Sequence, residues 1–528
     1  MSTSLDQLSE SKPQQESSRS QLIVRSRWFE RAMVATVLSV IGLVHAVDMN
    51  YDPQTWNVDA GTYMMQAWAV AALGRITPYS YTYDHAPGGW IQIGILARLF
   101  NGFGIFSSAI AFGNTVSLVY ALATALLLYL LARRLRFSLV AAAAVPLLWG
   151  LCPLAMEYAR PAYLDNIVTP WLLLAFYLAL NPRKHIWISA LGGVAFGIAC
   201  LSKETTIVVF PALVYAYVQN RDRRNFVRTC LLTLGGCCVM ALYPWYAEKK
   251  GELFPRHGRD TLIGEAKIQL FTRASSGSIF NPYSAVRVTL SQWLHYDRYL
   301  FAMGLAGILL AVWFKHLRPA ILALLIQTAM IVKGGYVPAM QIADITPWAA
   351  LVSVGAVWFG LCCPRQPWSN STRLLPRLWL LGRRIFAVTT MLAFAVIVAP
   401  KWATGDAQFM SFNHPVPLQQ AEWWVADNVP RSDTLVVDST LWTDLGSRYG
   451  FSHVVEETKI DADPRVVKTV RSIDYIVVAN NAFTGPDAKT VYPSLVRALR
   501  YSLVVATFGS GPNGVRVLRV GEDFTLRL

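Results

Sequence analysis

The stretch 106–132, FSSAIAFGNTVSLVYALATALLLYLLA, runs without a charged residue and ends on Arg133-Arg134-Leu135-Arg136. A helix needs roughly 20 apolar residues to cross the hydrocarbon layer, and arginines gathered directly after such a run mark a cytoplasmic end. Composition extends that reading to the whole chain. Of 528 residues, 54% are hydrophobic and only 15% charged, which is far from the balance of a soluble domain. Lys and Arg number 47 against 32 Asp and Glu, an excess of +15. Gathered on one polar domain, that excess would point to nucleic acid. Here it recurs in short groups between apolar runs, such as Arg221, Arg223 and Arg224, so no nucleic-acid partner is expected.

A sliding window of about 19 residues predicts eleven spans, near 30–48, 106–132, 138–155, 165–181, 186–202, 205–219, 226–244, 298–314, 319–334, 338–362 and 384–400. With the basic amino-terminal tail (Arg19, Arg25, Arg27, Arg31) inside, the loops at Arg133 to Arg136, Arg183 to Lys184, Arg221 to Arg224, Lys315 to Arg318 and Arg365 to Arg384 also fall inside. The apolar stretch Gly88 to Phe100 is too short to span and reads as an interfacial helix of the first outer loop. The expected fold class is therefore a polytopic α-helical membrane protein with a C-terminal extracytoplasmic α/β domain.

Its organisation reads as a polar cytoplasmic tail over 1–29, a transmembrane domain over 30–400 with large outer loops at 49–105 and 244–297, and the outer domain at 401–528. The tail is too rich in Ser, Gln and Glu to bury a core, and no short apolar segment with a small-residue cleavage site precedes the first span. In the outer domain, Thr434-Leu-Val-Val-Asp438, Ile473-Asp-Tyr-Ile-Val-Val478 and Leu503-Val-Val-Ala506 alternate with helix-like stretches, as in a partly parallel sheet. An odd number of spans places this domain outside.

Other motifs are mostly exclusions. Cys152, Cys200, Cys230, Cys237, Cys238, Cys362 and Cys363 all lie in or at the ends of apolar runs, without CxxC spacing, and read as apolar thiols. There is no P-loop, no GxGxxG after a strand and no HExxH. Gly509-Ser-Gly-Pro-Asn-Gly514 lies between two candidate strands and reads as a hairpin turn.

Ionisable residues near membrane depth sort onto the outer side under this topology: Asp59, Asp84, His85, Glu157, Arg160, Asp165, Lys203, Glu204 and Lys333. Snorkelling and pairing with neighbours account equally well for Lys333, Glu157 and Glu204. Asp59, in Asn57-Val-Asp-Ala-Gly-Thr-Tyr63, and Asp165, in Glu157-Tyr-Ala-Arg-Pro-Ala-Tyr-Leu-Asp165, stand out because both occupy short loops dense in Tyr, Arg and Pro. A carboxylate held where a helix re-enters water can act on a lipid head group and a soluble acceptor together.

Taken together, the first outer loop with Asp59, the Tyr83-Asp-His-Ala-Pro87 element, Arg160 to Asp165 and Leu201-Ser-Lys203 resemble the GT-C membrane glycosyltransferases, in particular the protein O-mannosyltransferase and aminoarabinose (lipid A) transferase branch. The resemblance covers roughly 30 to 350. It implies a glycosyltransferase of the plasma (inner) membrane that takes a sugar from a polyprenyl-phosphate carrier and passes it to an extracytoplasmic acceptor glycan, lipid or protein. Two positions differ from the family pattern: Asp59-Ala60 replaces an acidic pair, and Asp84-His85-Ala86-Pro87 stands where the aminoarabinose branch has an acidic-Lys-Pro-Pro-like element. His85 then takes the place of a cation.

The chemistry implied by this resemblance needs a base for the acceptor hydroxyl and cations for the charge building on the phosphate. Asp59 is the candidate base, and Asp165 orients the acceptor or a cation. Lys203, Arg160 and Lys333 are the candidate phosphate clamp, joined by His85, with Arg256 and Arg259 of the long outer loop as further donors. A divalent metal ion is an option, with Asp84 and His257 as oxygen and nitrogen ligands. The alternatives are a transporter, which should show internal repeats or broken helices, and a non-catalytic envelope scaffold that binds through its outer domain.

Overall fold

The computed structural model describes residues 11–49, 58–181, 185–219, 223–256, 260–362, 374–410, 417–470, 472–480, 482, 483, 485, 488–511 and 514–521. It is mostly helical, with a small sheet near the C-terminus. Among the described residues, six helices are long and apolar enough to cross a membrane, or up to seven if a bent pair counts as one span. The shorter apolar helices Leu164–Ala179, Ile186–Ser202, Glu204–Val218 and Leu300–Ala311 lie at other expected spans, and Gly88–Phe100 is a helix where the interfacial one is expected.

Local chemistry explains the boundaries. Ser108 starts Ala109–Arg134 by accepting from Ala111 N at 3.0 Å, and Ser138 starts Leu139–Gly150 by accepting from Ala141 N at 3.2 Å. The span expected over 138–155 is bent by 64° between Leu139–Gly150 and Pro153–Ala159. Pro153 brings no N–H and holds Cys152 in an extended conformation, so the helix restarts instead of continuing. The last apolar run continues through a π-helical turn, Phe394–Val398, into Ala399–Met410, past the boundary expected at 400. Where Ile186–Ser202 packs on Asn225–Met240, Gly193 faces the Leu232 carbonyl so closely that no Cβ would fit. Small residues at such crossings let helix backbones approach where lipid supplies no hydrophobic drive.

After the last long helix, Pro417–Asn428 leads into strands β1 (Thr434–Val437), β2 (His453–Glu456), β3 (Tyr475–Ala479), β4 (Ser502–Phe508) and β5 (Val515–Val520). Their order is β2-β1-β3-β5-β4, with β1 parallel to β2 and β3, and β5 antiparallel to β3 and β4. The partly parallel pattern read from the sequence is present, and the glycine-rich turn joins β4 and β5, with Gly509 at φ 69°.

This small domain is seated on the segment after the first long helix. Gly61, in the helix Val58–Trp68, lies against the backbone at Ser439 and Thr440 with no room for a side chain. Asp444 accepts from Ala109 N at 2.9 and 3.0 Å, Asp463 accepts from Ser80 N at 2.6 Å, and Glu456 N donates to the Tyr79 hydroxyl at 2.9 Å. Trp442 packs edge-on against both Trp68 and Tyr79.

Candidate active site

Asp59 occupies the first turn of Val58–Trp68, two residues before the contact with Ser439 and Thr440. It is partly buried, and its charged neighbours are His85, Lys203, Asp165 and Asp84. Among the described residues no hydrogen-bond donor reaches its carboxylate. Burial pushes its pKa up, while His85 and Lys203 pull it down; the net direction is upward. A carboxylate in that state is a better proton acceptor than one exposed to water.

Asp165 and Lys203 form a buried ion pair. Each side chain is where helix geometry favours its charge: Asp165 is in the first turn of Leu164–Ala179, and Lys203 caps the C-terminal end of Ile186–Ser202. Asp344, in Ile342–Cys362, is also a charged neighbour of Lys203, and Thr169 Oγ1 donates to it at 3.5 Å. Lys203 thus pairs with Asp165 and has the acidic side chain of Asp344 as a second neighbour, while Asp59 lies within reach of its charge.

His85 makes a second pair. Its Nδ1 lies 3.0 Å from Glu204 Oε1, and its side chain remains a quarter exposed. Burial pulls the imidazole down, but the hydrogen bond and charge of Glu204 outweigh it, and the pKa ends above its ordinary value. The pair with Glu204 therefore favours the protonated imidazole at the position where the family pattern has a cation. Asp84 turns inward locally, with its Oδ1 accepting from His85 N at 3.0 Å. Aromatic hydroxyls close this side: Tyr81 and Tyr243 are 2.8 Å apart, both hydrogen-bonded to the His85 carbonyl, and Tyr83 donates to Glu252 at 2.7 Å.

The expected residues are thus divided. Asp59, Asp165, Lys203, His85 and Asp84 come together, although they span more than a quarter of the chain. Arg160 faces another set, donating to the Val47 carbonyl near Asp48 and Glu157. Lys333 is exposed at the end of Arg318–Val332, and Arg256 is exposed beside Gly251. His257 and Arg259 lie outside the described residues. Among the described residues, which leave out His257, no three His, Cys, Asp or Glu side chains are gathered as a metal would require. Sequence reasoning missed Asp344 and the partnership of Glu204 with His85. A lone carboxylate inside an apolar run was the available signal for Asp344; nothing local announced the other.

Residues 84–247 match the family model described as dolichyl-phosphate-mannose-protein mannosyltransferase, a stretch that contains His85, Asp165 and Lys203 and begins after Asp59. ArnT from Cupriavidus metallidurans bound to undecaprenyl phosphate superposes with a TM-score of 0.57 at 16% identity, covering 93% of this chain and 98% of that one. The chain has the GT-C fold. The Archaeoglobus fulgidus oligosaccharyltransferase in its apo form matches at a TM-score of 0.54 and 14% identity, over 92% of this chain and 75% of its own. The archaeal AglB from the same organism, in complex with an inhibitory peptide and a dolichol phosphate, matches at 0.52 and 14%, over 94% and 75%. No curated protein matches by sequence. The fold implied by the resemblance of the loop motifs is borne out, and so is an integral membrane protein.

Proposed function

We propose that this GT-C protein is a glycosyltransferase that moves a sugar from a polyprenyl-phosphate carrier to an acceptor on the extracytoplasmic side. The observation that carries the reading is Asp59 itself: a carboxylate raised by burial, reached by no donor among the described residues, and flanked by two organised cations. In this reading Asp59 takes the proton of the acceptor hydroxyl as that oxygen attacks the anomeric carbon. The bond from that carbon to the carrier phosphate breaks, and the phosphate leaves with the electron pair. His85, whose protonated form Glu204 favours, meets the growing phosphate charge. Asp165 fixes Lys203 so that its charge acts from one place, with Asp344 as a further acidic neighbour. Arg160, Lys333, Arg256 and Arg259 are proposed as outlying donors along the path of the carrier. The match to a mannosyltransferase family model and the undecaprenyl phosphate and dolichol phosphate named for the structural neighbours support a polyprenyl-phosphate donor.

The eleven-span topology, with 401–528 outside and the protein in the plasma (inner) membrane, belongs to the same proposal and rests on the distribution of Lys and Arg. Ser432 is exposed in the C-terminal domain. A Ser432→Cys protein should react with an impermeant thiol reagent in intact cells or spheroplasts, and protection until lysis would reverse the orientation. The activity is tested by reconstituting the protein with a radiolabelled polyprenyl-phosphate sugar and an envelope extract. Label should leave the carrier only when protein and extract are both present; a carrier pool that never turns over rejects the donor.

A further inference from the structure

Away from the Asp59 cluster, a cavity of about 840 Å³ lies among Leu139–Gly150, Leu300–Ala311, Ile342–Cys362 and the last long helix running to Met410. Its wall is overwhelmingly apolar and includes Leu148, Met303, Trp358, Phe394 and Trp402. Val140 and Met391, also on the lining, are exposed on the bundle's outer surface, so the cavity opens towards lipid. Among the described lining residues, one side chain is ionisable. It is Asp406, 7% exposed, whose Oδ1 has no hydrogen-bond partner among the described residues.

That orphan carboxylate is informative because its neighbour is not one. Asp297, close enough to act on it electrostatically, has both oxygens occupied: Oδ1 accepts from Trp402 Nε1 at 2.8 Å and Tyr299 N at 3.0 Å, and Oδ2 accepts from Leu300 N at 2.8 Å and Cys152 Sγ at 3.3 Å. Asp297 adds negative character and offers no donor. We propose that the cavity is a lipid site, separate from the site of sugar transfer, which takes the aliphatic chain of a membrane lipid whose head group carries a primary ammonium. The ammonium donates to Asp406.

Both halves of such a lipid match what lines the cavity. The chain buries apolar surface along the wall. A primary ammonium brings opposite charge and three N–H donors to a buried acceptor that otherwise stays unsatisfied. A phosphate-ended polyprenyl chain fits the wall equally well, but its head would meet a carboxylate with a second carboxylate behind it. A quaternary ammonium supplies the charge without the donors. None of the lining residues belongs to the Asp59 cluster, so occupancy and sugar transfer are separable.

The test is native mass spectrometry of the full-length protein after exchange into equimolar phosphatidylethanolamine, phosphatidylcholine and phosphatidylglycerol. Phosphatidylethanolamine should be retained over each of the others by roughly 10-fold or more, the ratio expected of one charge-assisted hydrogen bond. Asp406→Asn should bring the three close to parity, and Ala144→Trp, which fills the cavity, should lower retention of all of them. Preference for phosphatidylglycerol, or a preference unchanged by Asp406→Asn, overturns the proposal. A measurement on the unaltered protein stands beside these: successive N-methylation of phosphatidylethanolamine leaves an N–H donor until the third methyl group, so retention should drop most at that last step. Flat retention across that series also overturns it. Since Asp406 is remote from the transfer chemistry, absence of sugar turnover would reject the proposed function and leave the lipid site standing.

Discussion

Asp59 and Asp297 are both carboxylates near the ends of apolar helices, and they are held in opposite ways. Asp297 has donors on both oxygens, from two backbone amides, an indole and a thiol, and it ties the start of Leu300–Ala311 to Trp402 and Cys152. Asp59 faces two cations and two other carboxylates but receives no donor among the described residues. The difference separates structure from chemistry: a carboxylate whose lone pairs are all used holds a fold together, whereas one kept in a field of charges with lone pairs to spare can accept a proton. Asp165 lies between them, buried and paired with Lys203.

The sharpest way to break this comparison is Asp59→Asn. The amide keeps the shape and cannot take the acceptor proton, so sugar turnover should fall by about 100- to 10,000-fold. Thermal unfolding and carrier binding should stay near those of the unaltered protein. An active Asp59→Asn protein would strip Asp59 of its role and make Asp165 the next carboxylate to test.

Next in size is the intermediate case. Lys203→Met or Asp165→Asn alone leaves a buried charge without its partner, which should cost about 3–5 kcal/mol in unfolding measurements. The double substitution should recover much of that stability and none of the activity. If the single variants are as stable as the original, the pair is not shielded from water in the way its burial implies.

Asp297→Ala addresses the structural side. Losing the carboxylate orphans the Trp402 indole and two backbone amides, at about 1–3 kcal/mol for each buried group that water does not reach. The transition temperature should fall, while turnover per folded molecule holds. Reduced turnover at unchanged stability would erase the distinction between the two carboxylates.

The smallest effect should appear in the pH profile. Transfer requires Asp59 ionised, so its rate rises with pH through a pKa that burial places above the ordinary carboxylate value. It also requires His85 protonated, so the rate falls as pH climbs through an imidazole pKa raised by Glu204. Glu204→Gln removes that support and should move the alkaline limb down by on the order of one pH unit, leaving the acid limb in place. A shift of the acid limb alone would show that Glu204 acts on Asp59 and not on His85.

Much of the membrane architecture was legible because lipid imposes a rule that acts residue by residue. A run such as 106–132 must be helical if it lies in hydrocarbon, since every backbone group has to be satisfied within the segment. The bend at Pro153 was missed, since 138–155 reads as one span, although its cause is local, a residue without an N–H. What could not be read was how far past 400 the last helix runs, because its continuation to Met410 depends on packing of Trp402 and Asp406 against the bundle and not on hydropathy alone.

By itself the sequence determined that this chain lives in a bilayer, that its C-terminal part forms a partly parallel sheet, and that Asp59, Asp165, Lys203 and His85 merit attention. Periodicity and the cost of charge in lipid are properties of short segments, so they survive without coordinates. Only the tertiary structure decided which of those groups are spent on one another. Lys203 pairs with Asp165 and adjoins Asp344, Glu204 favours the protonated form of His85, and the backbone at Ser439 and Thr440 presses on Gly61 beside Asp59. Such pairings join residues tens to hundreds of positions apart, and their energies depend on separation in space and on burial, neither of which a linear chain records.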